Sequence, residues 1–312
     1  MKLAPVALFV YNRADNTRRT LEALARNTLA SKTNVYVFSD GGKDEKSWAE
    51  VEAVRNVVRE FISPLGGTKE GFSLTLVERP ENYYLERNIT EGIAQVLEEY
   101  DRIIVLEDDM VTSPYFLQYM NEALELYADV PKVMHVAAFT NLDLKGTPFY
   151  FTPHMSGWGW GTWKDRWNGH FCHYKTRDEA LKGLTQDDLE RIEYGGAFQC
   201  LKNLDRRPIP WDICWELAIY KAKGLCLSPG RTLVRNIGLA QGTHFRSFRI
   251  LQRYEFDREP LQEPLRLTKV TEPKADPAIE AQFAQAITDW GIRYTLLGKV
   301  VRFLYKMLKG EK

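Results

Sequence analysis

The sequence predicts an α/β protein with a mostly parallel central sheet flanked by helices. Two observations carry that expectation. Short apolar runs alternate with amphipathic helical stretches through the first 140 positions, and such alternation builds a parallel sheet covered on both faces. Each of the first four runs is followed by polar or charged residues, and ligands of such sheets bind beyond the carboxyl ends of the strands.

The first strand is expected over 5–11. It is too short for a secretion signal, contains Pro5, and ends in Tyr11-Asn12-Arg13 without a small-residue cleavage site. A helix over 16–27 leads to a strand over 34–38, which ends in Ser39-Asp40-Gly41-Gly42. After a helix over 46–61, a third strand over 73–77 ends in Arg79-Pro80-Glu81-Asn82 and feeds a helix over 85–100. The fourth strand, 103–106, is wholly apolar, as a buried strand should be, and ends in Glu107-Asp108-Asp109. A helix over 114–127 and a strand over 133–138 complete this half.

The triplet Glu107-Asp108-Asp109 is the strongest chemical signal. Carboxylates this close repel one another and raise each other's pKa unless a positive charge sits among them. Hard oxygen ligands suit Mg²⁺ or Mn²⁺, which keep positions open for substrate phosphates. The alternative is a solvated acidic loop favouring the start of the helix after Ser113-Pro114. No GxGxxG follows the first strand and no GxxxxGK[ST] occurs, so neither a dinucleotide loop nor a P-loop is supported. Arg87 offers a second positive charge for a phosphate, or else a surface side chain paired with Glu86 or Glu91.

Composition bounds the function. The chain has 312 residues, 44% hydrophobic and 12% aromatic, enough for one large domain or two small ones. Lys plus Arg equals Asp plus Glu at 42 each, so no overall field advertises nucleic acid as a partner. Cys172, Cys200, Cys214 and Cys226 lack CxxC spacing, which predicts free thiols in a reducing compartment. No apolar run reaches membrane-spanning length, and the expected location is cytoplasmic.

From Phe149 the pattern changes to short strands, the glycine and tryptophan segment 156–163, and helical stretches to about Arg206. Glycines admit close backbone approach and tryptophans stack on sugar rings, so Trp158, Trp160 and Trp211 are candidate acceptor residues. Large aromatics also build cores, which is the competing reading for Trp160, Trp163 and Trp167. A helix over 211–223 carries Asp212 and Glu216 one turn apart, either of which could face a cleft, although Asp212 could equally be a cap. A strand over 225–227 precedes a glycine-punctuated loop in which His244 is a candidate ligand or a packed residue. Near the end, Ile292, Leu296, Val300, Phe303, Leu304 and Met307 line up beside five basic residues. Such a stripe over 292–309 suits peripheral contact with an anionic membrane, or packing on the catalytic domain or a second subunit of a homo-oligomer.

With these residues in place, the chain resembles the GT-A fold nucleotide-sugar glycosyltransferases. The likeness is to the protein N-acetylglucosaminyltransferase I family and, more broadly, to bacterial inverting GT-A enzymes. It is carried by 6–13, Ser39-Asp40, Glu107-Asp108-Asp109 as the DxD-type motif, 157–167, Trp211-Asp212 and the Gly238 to His244 loop. It implies a catalytic domain over 1–250, with a nucleotide-sugar-binding half (1–140) and an acceptor half (141–250), followed by an extension over 251–312. It implies Asp109 as metal ligand and Asn12, Arg13, Asp40, Glu107 and Asp108 as donor-binding residues; the residues themselves add Tyr11 and Arg87 on the donor side and His244 as a further ligand of the metal. Asp212 is implied as the general base of an inverting transfer to a glycan or lipid-linked acceptor. The family often places a second acid after that base, whereas Ile213 stands here, so Glu216 remains a rival. A nucleotidyltransferase and a non-catalytic nucleotide-sugar binding protein are the alternatives outside this class.

Overall fold

A computed structural model describes residues 3–62, 73–194, 198, 200–238 and 258–286. The first half follows the predicted alternation: β1 (Val6–Val10), α1 (Ala14–Ala25), β2 (Asn34–Ser39), α2 (Glu45–Ile62), β3 (Ser73–Glu78), α3 (Tyr84–Glu99), β4 (Arg102–Glu107). Then come β5 (Met110–Thr112), α4 (Phe116–Leu126), β6 (Val133–Ala137), β7 (Phe149–Thr152) and β8 (Trp160–Trp163). Three short helices, α5 (Lys164–His170), α6 (Arg177–Leu181) and α7 (Gln186–Ile192), precede α8 (Trp211–Lys221), β9 (Leu225–Pro229) and β10 (Val234–Asn236).

Eight strands form one sheet in the order β3-β2-β1-β4-β8-β6-β9-β7. The pairings of β3, β2, β1 and β4, and that of β6 with β9, are parallel, whereas β8 and β7 run against their neighbours. The sheet is therefore mostly parallel, as expected, and it continues unbroken across position 140. Side chains alternate across a strand, and in β1 Val6, Leu8 and Val10 join one core cluster while Ala7 and Phe9 join the other. Helices α1, α2 and α4 cover the first face; α3 and α8 cover the second.

Two features depart from expectation. The segment 156–163 contains β8, a central strand wedged between β4 and β6. Its glycine is required there: a Cβ on Gly161 would lie 2.8 Å from the carbonyl oxygen of Ile103 and 3.0 Å from Met120 Cε. Glycine and tryptophan disguise the strand because neither gives a clean apolar alternation. The second is the antiparallel ribbon of β5 with β10, which begins directly after the acidic triplet. In the segment 258–286, Leu261 and Leu265 pack into the first cluster, Lys269 pairs with Asp129 at 2.7 Å, and a helix α9 spans 277–286. Among the described residues no helix is long and apolar enough to cross a membrane. The stripe over 292–309 lies outside the described residues.

Candidate active site

The order β3-β2-β1-β4 reverses at β1, and open α/β sheets bind ligands at such a switch point. Tyr11, Asn12 and Arg13 leave β1 beside Glu107, Asp108 and Asp109 at the end of β4. Arg13 forms an ion pair with Asp108, and its Nη1 lies 2.9 Å from Asp109 Oδ2. Thr20 Oγ1 donates to the Asp108 carbonyl at 2.9 Å, tying α1 to the same corner.

The electrostatics follow from burial. Desolvation raises Asp108 to about 7 against the pull of Arg13, and it raises Asp109 as well. Glu107 is pushed to about 8 by burial, then by Asp109 and Asp108. Among the described residues Arg13 alone pairs with these acids, and Asp109 Oδ1 is buried without a hydrogen-bond partner. The chain closes over Asp109 from behind: Ile237 N–H donates to its carbonyl at 2.8 Å. A Cβ on Gly238 would fall 2.0 Å from Asp109 Oδ2 and 2.7 Å from Arg13 Nη1. Any larger residue would have to push these two side-chain ends aside.

The end of β2 supplies a second polar nest. Asp40 Oδ1 accepts the N–H groups of Gly41 at 2.9 Å and Tyr83 at 2.7 Å, and Oδ2 accepts from Asn82 Nδ2 at 3.2 Å. Burial raises the Asp40 pKa and these backbone bonds oppose it. The Lys43 ammonium sits 5.8 Å from the ring centre of Tyr11 and 4.6 Å from that of Tyr84. Asn12 Nδ2 donates to Glu50 Oε2 at 2.6 Å. Lys43 and Asn82 were not singled out from sequence, although both stand in the polar runs that follow β2 and β3. Arg87 lies outside this nest: it is exposed, pairs with Glu91 at 2.8 Å and Glu81 at 3.1 Å, and covers the Tyr83 ring at 3.6 Å. That is the surface pairing with Glu91.

Helix α8 separates its two acids. Asp212, in the first turn, accepts Ile213 N–H at 2.9 Å. Burial raises its pKa, Glu216 adds to the rise, and Glu107 in turn is raised by Asp212, which relates the helix start to the acidic triplet. Glu216 is 4% exposed and both its oxygens are engaged, one paired with His154 and the other accepting Met155 N–H at 2.9 Å. The tryptophans need correction. Trp160 and Trp211 are 0% and 4% exposed and stack on each other at 5.3 Å, which places both rings in the core, the competing reading for Trp160. Trp158 is half-buried, edge-on to Phe139 at 4.5 Å. His244 lies outside the described residues. Among the described residues no group of three His, Cys, Asp or Glu side chains is gathered as a metal cage.

Residues 6–177 match Glycosyl transferase family 2. The chain belongs to that family. No curated protein matches the sequence. Similar solved structures include the mannosyltransferase PcManGT from Pyrobaculum calidifontis in complex with GDP-Man and Mn²⁺, at 15% identity, 70% of this chain, 73% of that one and a TM-score of 0.38. Mouse xyloside xylosyltransferase 1 in its apo form matches at 11% identity over 70% of this chain and 82% of that one, with a TM-score of 0.37. A UDP-glucose pyrophosphorylase complexed with UDP-glucose matches at 9% identity over 73% and 90%, with a TM-score of 0.34. In this glycosyltransferase the family match spans β1 through α5, and so contains Arg13, Asp40 and the acidic triplet. Asp212 and Gly238 lie beyond it.

Proposed function

We propose that this glycosyltransferase moves a hexosyl or N-acetylhexosaminyl group from a nucleotide-sugar to a hydroxyl of a glycan or lipid-linked acceptor, with inversion and with a divalent cation. The observation that carries this reading is the switch-point corner, where among the described residues Asp109 Oδ1 is buried without a partner beside two further acids and the Arg13 guanidinium.

The donor set fits Mn²⁺ or Mg²⁺. Such ions take one or two carboxylates from the protein and fill their remaining positions with water and substrate phosphates, so a three-residue cage is not required. Asp109 would hold the ion, with His244 as a second ligand; the chain leading to His244 passes Asp109 at Gly238. A cation there supplies charge neutralisation for a departing nucleoside diphosphate, worth several kcal/mol. Tyr11, Asn12, Arg13 and Asp40 bind the nucleotide, and Glu107 and Asp108 serve the ribose and sugar. Asp212 accepts the proton of the acceptor hydroxyl, whose oxygen attacks the anomeric carbon from the face opposite the diphosphate. Burial has already raised its pKa, which favours a base. Trp158 is the remaining aromatic candidate for the acceptor side.

The test is calorimetry with Mn²⁺ and UDP-, GDP-, CMP- and dTDP-linked sugars, followed by product analysis. Metal-dependent heat with release of the nucleoside diphosphate (the monophosphate for a CMP-sugar) is expected, and Asp109→Ala weakens it. Absence of heat with every donor, or release of pyrophosphate, overturns the proposal.

A further inference from the structure

The reaction outlined above leaves Glu86 unused. It stands in the first turn of α3 and reaches across to α8, where its Oε2 accepts the backbone N–H of Trp211 at 2.5 Å. The first N–H groups of a helix have no partner within the helix, and the residue preceding α8 is Pro210, which makes no side-chain cap. Glu86 thus does from a distant element what a local capping side chain ordinarily does. The next residue along is Asp212, whose own carboxylate takes the N–H of Ile213 at 2.9 Å. Two carboxylates from different elements converge on one helix end.

The backbone is shaped to bring Glu86 inward. Tyr84 has φ of 58°, a left-handed conformation that bulky residues adopt rarely and only when surroundings enforce it. Tyr84 and Leu85 are 61% and 51% exposed, whereas Glu86 is half-buried against α8. Charged groups around the pair come from several elements. Glu86 senses Asp212 and Arg206, Asp212 senses Glu216 and Arg206, and Glu107 at the end of β4 senses Asp212. Burial lifts Glu86 to about 7, opposed by the Trp211 N–H and reinforced by Asp212.

We infer that Glu86 is a positioning residue for sugar transfer: it anchors the first turn of α8 and so fixes the carboxylate of Asp212 relative to the acidic triplet. This rests on the reading of Asp212 as base. A misplacement of about 1 Å at a reacting group costs on the order of 10²-fold, so loss of the anchor should lower turnover by roughly 10- to 100-fold without touching the donor site.

The experiment compares Glu86→Ala and Glu86→Gln in the full chain, alone and with Asp212→Asn. Release of the nucleotide from UDP-, GDP-, CMP- and dTDP-linked hexoses and N-acetylhexosamines with Mn²⁺ is followed beside hydrogen exchange at the Trp211 amide. Glu86→Ala is expected to speed exchange at Trp211 and to lower kcat while donor affinity holds. Glu86→Gln, whose amide oxygen still accepts the bond, is expected to restore both, and Glu86→Ala is expected to add no loss in the Asp212→Asn background. Unchanged Trp211 exchange in Glu86→Ala, or an equal further loss in the Asp212→Asn background, overturns the inference. A wild-type chain that turns over none of these donors sinks the transferase reading instead, and Trp211 exchange then decides alone whether Glu86 holds the helix.

Discussion

Replacing Gly238 by alanine adds one methyl group at the most crowded point of the site. The new carbon would stand 2.0 Å from Asp109 Oδ2 and 2.7 Å from both Asp109 Cγ and Arg13 Nη1. Ordinary contact begins at 3.4 Å, so from 2.0 Å the carboxylate oxygen must retreat by about 1.4 Å. Two hydrogen bonds hold the backbone on its N-terminal side, Gly238 N–H to Asn236 Oδ1 at 2.8 Å and Ile237 N–H to the Asp109 carbonyl, so the side-chain ends are the softer partners. The side chains of Asp109 and Arg13 therefore move. Overpacking of this kind costs about 1–3 kcal/mol, and a shift of that size at a metal-binding or reacting group lowers turnover on the order of 10²-fold. Calorimetric Mn²⁺ titration should show at least a tenfold weaker ion, turnover should fall further, and Tm should drop by only a few degrees. Wild-type Mn²⁺ affinity in a folded Gly238→Ala protein would refute the placement of the ion at Asp109.

Asp212→Asn should keep donor affinity within about twofold while transfer falls by ~10² to 10⁴-fold, the usual worth of a positioned base; initial rates with full activity would move the base elsewhere. Glu216→Ala leaves His154 and the Met155 N–H buried without their partner, a change worth about 1–3 kcal/mol for each group, so thermal melts should show Tm falling by roughly 3–10 °C. The folded fraction should still turn over, and loss of turnover with an unchanged Tm would make Glu216 the base. Glu86 gives a pH dependence. Its folded pKa of about 7 lies above the ordinary 4.5, so the native state holds the proton more tightly and the stabilising contribution, complete below 4.5, fades as pH rises through about 7. Relative to Glu86→Gln, the wild-type protein should lose stability between those values, by at most on the order of 2–3 kcal/mol after screening. A difference in denaturation midpoint that stays flat across this range contradicts the burial of Glu86.

Local pattern alone determined the first half of this protein. Apolar runs that end in polar residues place β1 through β4 and the helices between them: burial on two faces makes β1 and β4 continuous apolar runs, the edge strand β3 alternates, and ligand chemistry calls for polar ends. The acidic triplet, Asp40 and Arg13 could be singled out for the same reason. Tertiary structure decided the rest. Trp160 looks like a sugar platform in sequence, yet it is fully buried against Trp211, because whether an aromatic face is free depends on what packs over it. Asp212 and Glu216 share a helix and a spacing, and only their neighbours tell them apart: Glu86 reaches the helix start beside Asp212, whereas Glu216 is bonded to His154 in the core. The pairing of β5 with β10, which returns Gly238 to Asp109, joins positions more than a hundred residues apart. Contacts of that range leave no periodic trace, since each strand is only three residues long, and no window of sequence contains both partners.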